Sequence, residues 1–157
     1  MLTRFVSASR RVVASAREIA STLGSPTLEA EHLLLAVAHE PASAAHDVLV
    51  EAGLDYDRVR HALEAEFEGS LAAVGVTLAD FDLRATAGTP RTPRWGTSAK
   101  VALQRSVKLA DTRRDRRVTP GHILLGVLRA HAGTVPRVLD RAGVDRTELL
   151  RRVEAAL

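Results

Sequence analysis

The sequence predicts an all-α fold made of two tandem four-helix units related by a pseudo-two-fold axis. Three observations lead there. Residues 5–67 and 95–157 align at a constant offset of ninety without a gap, and fourteen of the sixty-three pairs are identical. Hydrophobic residues make up 46% of the 157-residue chain but aromatics only 3%, so the core must be Leu, Val and Ala. These compositions favour helices, because Ala and Leu lose little on entering a helix while strands draw on β-branched and aromatic residues. Finally, apolar residues recur at three- and four-residue steps, the spacing of one helix face. The repeat is plainest in "EAEHLLLAV" (Glu29–Val37) and "TPGHILLGV" (Thr119–Val127), with the histidine in the same place.

Each element follows in order. The first helix of each unit is expected to open at Thr3 or Thr97, whose hydroxyls can accept from an orphan backbone N–H. In unit one Phe5, Val12, Ala16, Ile19 and Leu23 share a face. The second helix is expected after Thr27 or Thr119, the latter followed by Pro120, which suits a first turn. The third is expected from Ala44 to Ala52 and from Pro136 to Ala142, closed by Gly53 or Gly143. Asp55 and Asp145 then cap the fourth.

The organisation expected is one domain over 1–157, with unit one at 1–68, a linker at 69–94 and unit two at 95–157. In the linker, Leu71, Gly75, Val76 and Thr77 repeat a fragment of the unit and imply a short extra helix. "RATAGTPRTPR" (84–94) reads as a mobile Gly/Pro/Thr loop.

With no cysteine, disulfides, thiolate nucleophiles and Cys-based zinc sites are excluded and a reducing compartment is permitted, not proven; the location expected is cytoplasmic. No apolar run approaches the roughly 20 residues of a membrane span. The acid-free stretch Met1–Arg17 reads as the first helix rather than a presequence. Net charge is +3, unevenly spread. Residues 1–68 hold six Arg against eleven acids, and 69–157 hold sixteen Lys/Arg against eight. A basic surface for an acidic partner competes with solvated helix faces.

The chemistry-bearing residues read mostly as structural. His32 and His122 sit at equivalent positions on apolar helices, so each is expected to bond a neighbouring backbone group or acid and hold the second helix in place. His32, His39 and His46 are seven apart, but Pro41 interrupts them, and no metal site is expected. Glu64, Glu66 and Glu68 read as a solvated face. Neither Gly-x-Ser-x-Gly nor His-Glu-x-x-His occurs, so no catalysis and no cofactor are expected. Arg113, Arg114, Arg116 and Arg117 form the strongest basic cluster, a solvated loop or a binder of phosphate backbones. Aromatic interleaving for single strands is missing. Trp95 opens unit two as Phe5 opens unit one.

Paired units carrying Glu31-His32-Leu33-Leu34-Leu35 and His122-Ile123-Leu124-Leu125-Gly126, led by Arg4-Phe5 and Ala99-Lys100, resemble the N-terminal repeat domain of Clp-family AAA+ unfoldases, most closely the ClpC type. The likeness covers the whole chain except 70–94. No Gly-x-x-x-x-Gly-Lys-Ser/Thr loop is present, so a free-standing docking domain without the motor is expected. The resemblance implies adaptor or substrate proteins as partners, with modulation of Clp proteolysis as the role. It implies a phosphoarginine site at Glu31, beside Ala30, and loss of its unit-two counterpart at Gly121 and Pro120. It also implies a groove for cyclic peptide antibiotics between the two first helices, with Leu2, Val13, Ala14 and Arg17 on one side and Trp95, Lys100, Gln104 and Val107 on the other. The alternative is a nucleic-acid-binding regulator acting through the basic second half.

Overall fold

The computed structural model describes residues 2–75 and 92–157. A 3-10 turn at Leu2–Arg4 leads into α1 (Ser7–Thr22), β1 (Thr27–Leu28), α2 (Ala30–His39), α3 (Ala44–Glu51) and α4 (Tyr56–Ala73). Then come β2 (Arg94–Trp95), α5 (Thr97–Arg113), α6 (Pro120–Leu128), α7 (Thr134–Arg141) and α8 (Arg146–Ala155). The fold is all-α: among the described residues each unit supplies four α-helices, and the strands are two residues long.

The centre is α2 and α6. Their sequences are apolar nearly all round, and both are buried nearly all round, from Leu33 to Ala38 and from Pro120 to Leu128. A helix apolar on every side must lie inside. The longer α1 and α5 bury one stripe each, Val12, Val13, Ala16 and Ala20 in α1 and Ala99, Ala102, Leu103 and Ala110 in α5. Gly53 and Gly143 close α3 and α7 with φ of 78° and 71°, and Asp55 and Asp145 cap α4 and α8 through backbone N–H groups at 2.8 and 2.9 Å.

The pseudo-symmetry is written in the backbone. β1 pairs in parallel with β2, matching Leu28 to Trp95, and Phe5 bridges Val118 in the same sense. The two pairings are one contact repeated at the offset of ninety. The Val6 N–H donates to the Val118 carbonyl at 3.2 Å, and the Gly96 N–H to the Leu28 carbonyl at 2.9 Å. Each unit therefore lends its leading segment to the other.

These pairings move several helix starts. α1 begins at Ser7 and not at Thr3, because Phe5–Val6 is drawn into extended contact with Val118. α2 begins at Ala30 and not just after Thr27, because Thr27–Leu28 is strand. Thr97 is the first residue of α5, not its cap. α7 begins at Thr134, leaving Pro136 in the first turn, where its missing N–H has no intrahelical partner. α4 runs on to Ala73, past the expected end of unit one, and takes in Leu71. Val76, Thr77 and most of the expected loop lie outside the described residues.

Candidate functional site

Both repeat histidines act as helix caps. The Glu29 N–H donates to His32 Nδ1 at 2.9 Å and the Thr119 N–H to His122 Nδ1 at 3.0 Å, each closing a reciprocal cap at the helix start. His122 Nε2 also meets Asp115 Oδ2 at 2.9 Å, so Nε2 carries the proton and Nδ1 accepts. That bond, first, holds the Asp115 carboxyl below its usual range. His32 has no such acid, since Ser25 stands where Asp115 stands, and burial lowers its pKa.

Three clefts lie beside these caps. The first, about 470 Å³, is framed by the starts of α2 and α5 and the loop before α7, with Glu29, Glu31, Ser98, Arg105 and Thr134 supplying its polar groups. Its counterpart at the offset of ninety lies at the start of α6, about 580 Å³, with Ser43, Arg116, Arg117 and Thr119 on its walls. Gly121 there replaces Glu31, and a Cβ at Gly121 would stand 2.6 Å from Leu157 Cδ2. The third, about 680 Å³, lies between the end of α1, the start of α2 and the face of α4.

Glu31 lines both the first and third clefts. Its place in the first turn of α2 is set by the Glu29–His32 cap that brackets it. Burial, the largest influence, pushes its carboxyl above the usual range. No ion pair engages it among the described residues. A carboxylate that is partly desolvated and unpaired is suited to a guanidinium or ammonium.

The two sides of the expected groove meet at one point. The Arg17 guanidinium lies 5.4 Å from the Trp95 ring centroid, a cation–π contact between α1 and β2. Val13 is buried, Ala14, Lys100 and Gln104 are exposed, and Val107 is half-buried. The side chain of Leu2 lies outside the described residues. The three clefts above are lined by other residues.

The arginine run is divided. Arg113 pairs with Asp115 at 3.2 Å, Arg114 ends α5 in a left-handed conformation at φ 61°, and Arg116 and Arg117 line the α6 cleft. Arg4 ties this loop to unit one through Asp111 at 2.5 Å and the Asp115 carbonyl at 2.9 Å. Among the described residues, no three metal-ligating side chains converge, and no helix is long and apolar enough to cross a membrane.

Glu66 corrects the sequence reading. It is 5% exposed, not part of a solvated face, and accepts from Arg137 at 2.5 Å, Arg141 at 2.7 Å and Ser70 at 3.0 Å. The hydrogen bond from Arg141, ahead of that from Arg137, holds its carboxyl below the usual range. The signal was present locally: Val59, Ala62 and Glu66 recur at helical steps and form one buried face. Glu64 lies roughly 200° away around the helix and pairs with Arg60 in solvent.

The family described as the Clp repeat (R) N-terminal domain matches residues 4–88 and 94–157. The chain is 29% identical over 153 residues to chaperone protein ClpB of Oceanobacillus iheyensis, covering 98% of this chain and 17% of that protein. It is equally similar, with the same coverage, to the negative regulator of genetic competence ClpC/MecB of Bacillus subtilis. The chain thus spans about a sixth of the length of these relatives. Among solved structures, the N-terminal domain of the chaperone ClpD from Arabidopsis thaliana superposes with a TM-score of 0.74 at 20% identity, covering 99% of this chain and 95% of that one. At that identity the likeness speaks for the fold alone.

Proposed function

The chain belongs to the family of Clp repeat N-terminal domains, and from that premise we propose that it is a non-catalytic docking domain for adaptor or substrate proteins of Clp-type proteolysis, holding them through the Glu31 cleft. The observation that carries this reading is the partly desolvated carboxylate of Glu31, without an ion-pair partner among the described residues, at a concave junction of the two units. Its ligand is a guanidinium, and phosphoarginine is the form the family resemblance favours. The cleft at the start of α6 differs, because Gly121 stands where Glu31 stands and the cleft's own carboxylate, Asp115, is already engaged by Arg113 and His122. Calorimetric titration with a phosphoarginine peptide tests the reading. Binding to the native chain and loss of binding in Glu31→Gln are expected. Binding that survives the substitution rejects it.

A second reading rests on the Arg17–Trp95 contact, which joins the two sides of the expected groove. There the chain sequesters a cyclic peptide of the antibiotic class named above, and Trp95 fluorescence reports the complex. An unchanged spectrum at saturating peptide removes this reading. The nucleic-acid alternative predicts duplex binding that weakens steeply with salt and disappears when Arg113, Arg114, Arg116 and Arg117 are replaced together. The lack of cysteine suits a docking role in the reducing cytoplasm.

A further inference from the structure

Four large hydrophobic side chains are well exposed among the described residues: Leu23, Val50, Phe67 and Val74. Single exposed hydrophobes are ordinary, but a pair lining one concavity marks a contact surface. Leu23, 39% exposed, and Phe67, 56% exposed, both line the third cleft, as does Leu63. His32, whose charged form is disfavoured by burial, also lines it.

The charges around the cleft leave one group free. Glu66 is neutralised by Arg137 and Arg141, and Glu64 by Arg60. Glu31 has no ion-pair partner among the described residues, and together with Thr134 it lines both the third cleft and the first, forming the ridge between them. The arrangement is peculiar to unit one. At the offset of ninety, Leu23 becomes Arg113 and Glu31 becomes Gly121. Without that ridge, the counterparts of the two clefts run together as the single cavity at the start of α6. An apolar trough beside an unpaired carboxylate fits a peptide that carries a cation and, close by, a large apolar side chain. In an extended peptide, residues two apart project to the same side roughly 7 Å from each other, a natural span for crossing a ridge one side chain wide.

We propose that the cleft lined by Leu23, Leu63 and Phe67 is a second subsite of the Glu31 site, taking an aromatic or branched aliphatic side chain of the same extended peptide whose guanidinium lies against Glu31. This rests on the reading of Glu31 as a guanidinium site and adds a sequence preference to it: the arginine-type residue is read together with a hydrophobic neighbour.

Two fluorescein-labelled peptides test it by anisotropy, identical except that one carries phosphoarginine-Gly-Phe and the other phosphoarginine-Gly-Ser. The native chain should bind the Phe peptide about tenfold more tightly, the order expected for burying one aromatic ring in a partly open cleft. Phe67→Ser, and separately Leu23→Ser, should shrink that ratio towards one and leave the affinity for the Ser peptide unchanged. Both sites are exposed, so folding is not at stake, and a melt by circular dichroism verifies this. Glu31→Gln should weaken both peptides alike. Equal affinity of the native chain for the two peptides, or a preference that survives both Phe67→Ser and Leu23→Ser, overturns the subsite and leaves the Glu31 reading standing. Failure of both peptides to bind overturns both readings.

Discussion

Glu29 and Ser98 cap each other's helices across the two units. The Glu29 carboxylate accepts from the Ser98 hydroxyl and, at 3.3 Å, from the Ser98 N–H in the first turn of α5. In return, the Ser98 hydroxyl accepts from the Ala30 N–H at 2.8 Å, at the start of α2. Orphan amides at two helix starts are thus satisfied by one pair 69 residues apart in sequence. Ser98→Ala leaves the Ala30 N–H without its partner and is expected to cost about 1–2 kcal/mol, the range for a lost cap. Denaturant unfolding measures it, and a loss indistinguishable from zero would show that water replaces the hydroxyl at no cost.

Glu66 ties α4 to α7. Arg137 and Arg141 are 54% and 41% exposed at the side chain, against 7% for Glu66. Glu66→Gln keeps the shape but removes the charge facing two cations. A loss of roughly 1–3 kcal/mol is expected at neutral pH, less than for a fully buried pair because water screens the arginines. The pKa of Glu66 is depressed in the folded chain, so the unfolded chain binds more protons. Its stabilisation is therefore present above the unfolded carboxylate pKa of about 4.3 and is lost as pH falls through the folded value. Melts of native and Glu66→Gln chains should converge below that point, and a gap that persists in strong acid would refute the charge argument.

Glu31 behaves in the opposite sense. Its folded pKa is raised by burial, so the folded chain holds the proton more tightly than the unfolded one. Any stabilisation linked to it is complete below the unfolded pKa and lost as pH rises through the folded value. At pH 7 the ionised group is a cost to folding. Glu31→Gln is expected to raise the melting temperature at pH 7 and to have a diminishing effect towards pH 4, while abolishing phosphoarginine binding. A variant less stable than the native chain at pH 7 would contradict this.

Gly126 sets how closely α5 and α6 approach. A Cβ there would lie 2.2 Å from the Ala102 carbonyl oxygen and 2.5 Å from the Ser106 hydroxyl. Backbone cannot yield as a side-chain tip can. Ala in place of Gly would favour a helix interior by about 1 kcal/mol, yet Gly126→Ala is expected to destabilise by about 1–3 kcal/mol, because the two helices must separate. The counterpart Ala36 is fully buried in α2, so the tighter approach belongs to unit two. A more stable Gly126→Ala chain, measured by thermal melt, would show that the helices separate freely.

Periodicity and repetition made the two units, their helix count, the apolar character of α2 and α6 and a structural, hydrogen-bonded role for both histidines readable from the sequence; that the bond is a helix cap came from the structure. These depend on residues within a turn or two of each other, and the repeat states them twice. Glu31 enters as a candidate only through the family resemblance, because its desolvation is not a local property. What the tertiary structure decided is which distant groups meet: Phe5 with Val118, Glu29 with Ser98, Glu66 with Arg137 and Arg141. Such pairings are chosen by how the two units clasp. No residue's neighbours in the chain encode that geometry, since helix-face patterning specifies what turns inward and leaves open what it will touch.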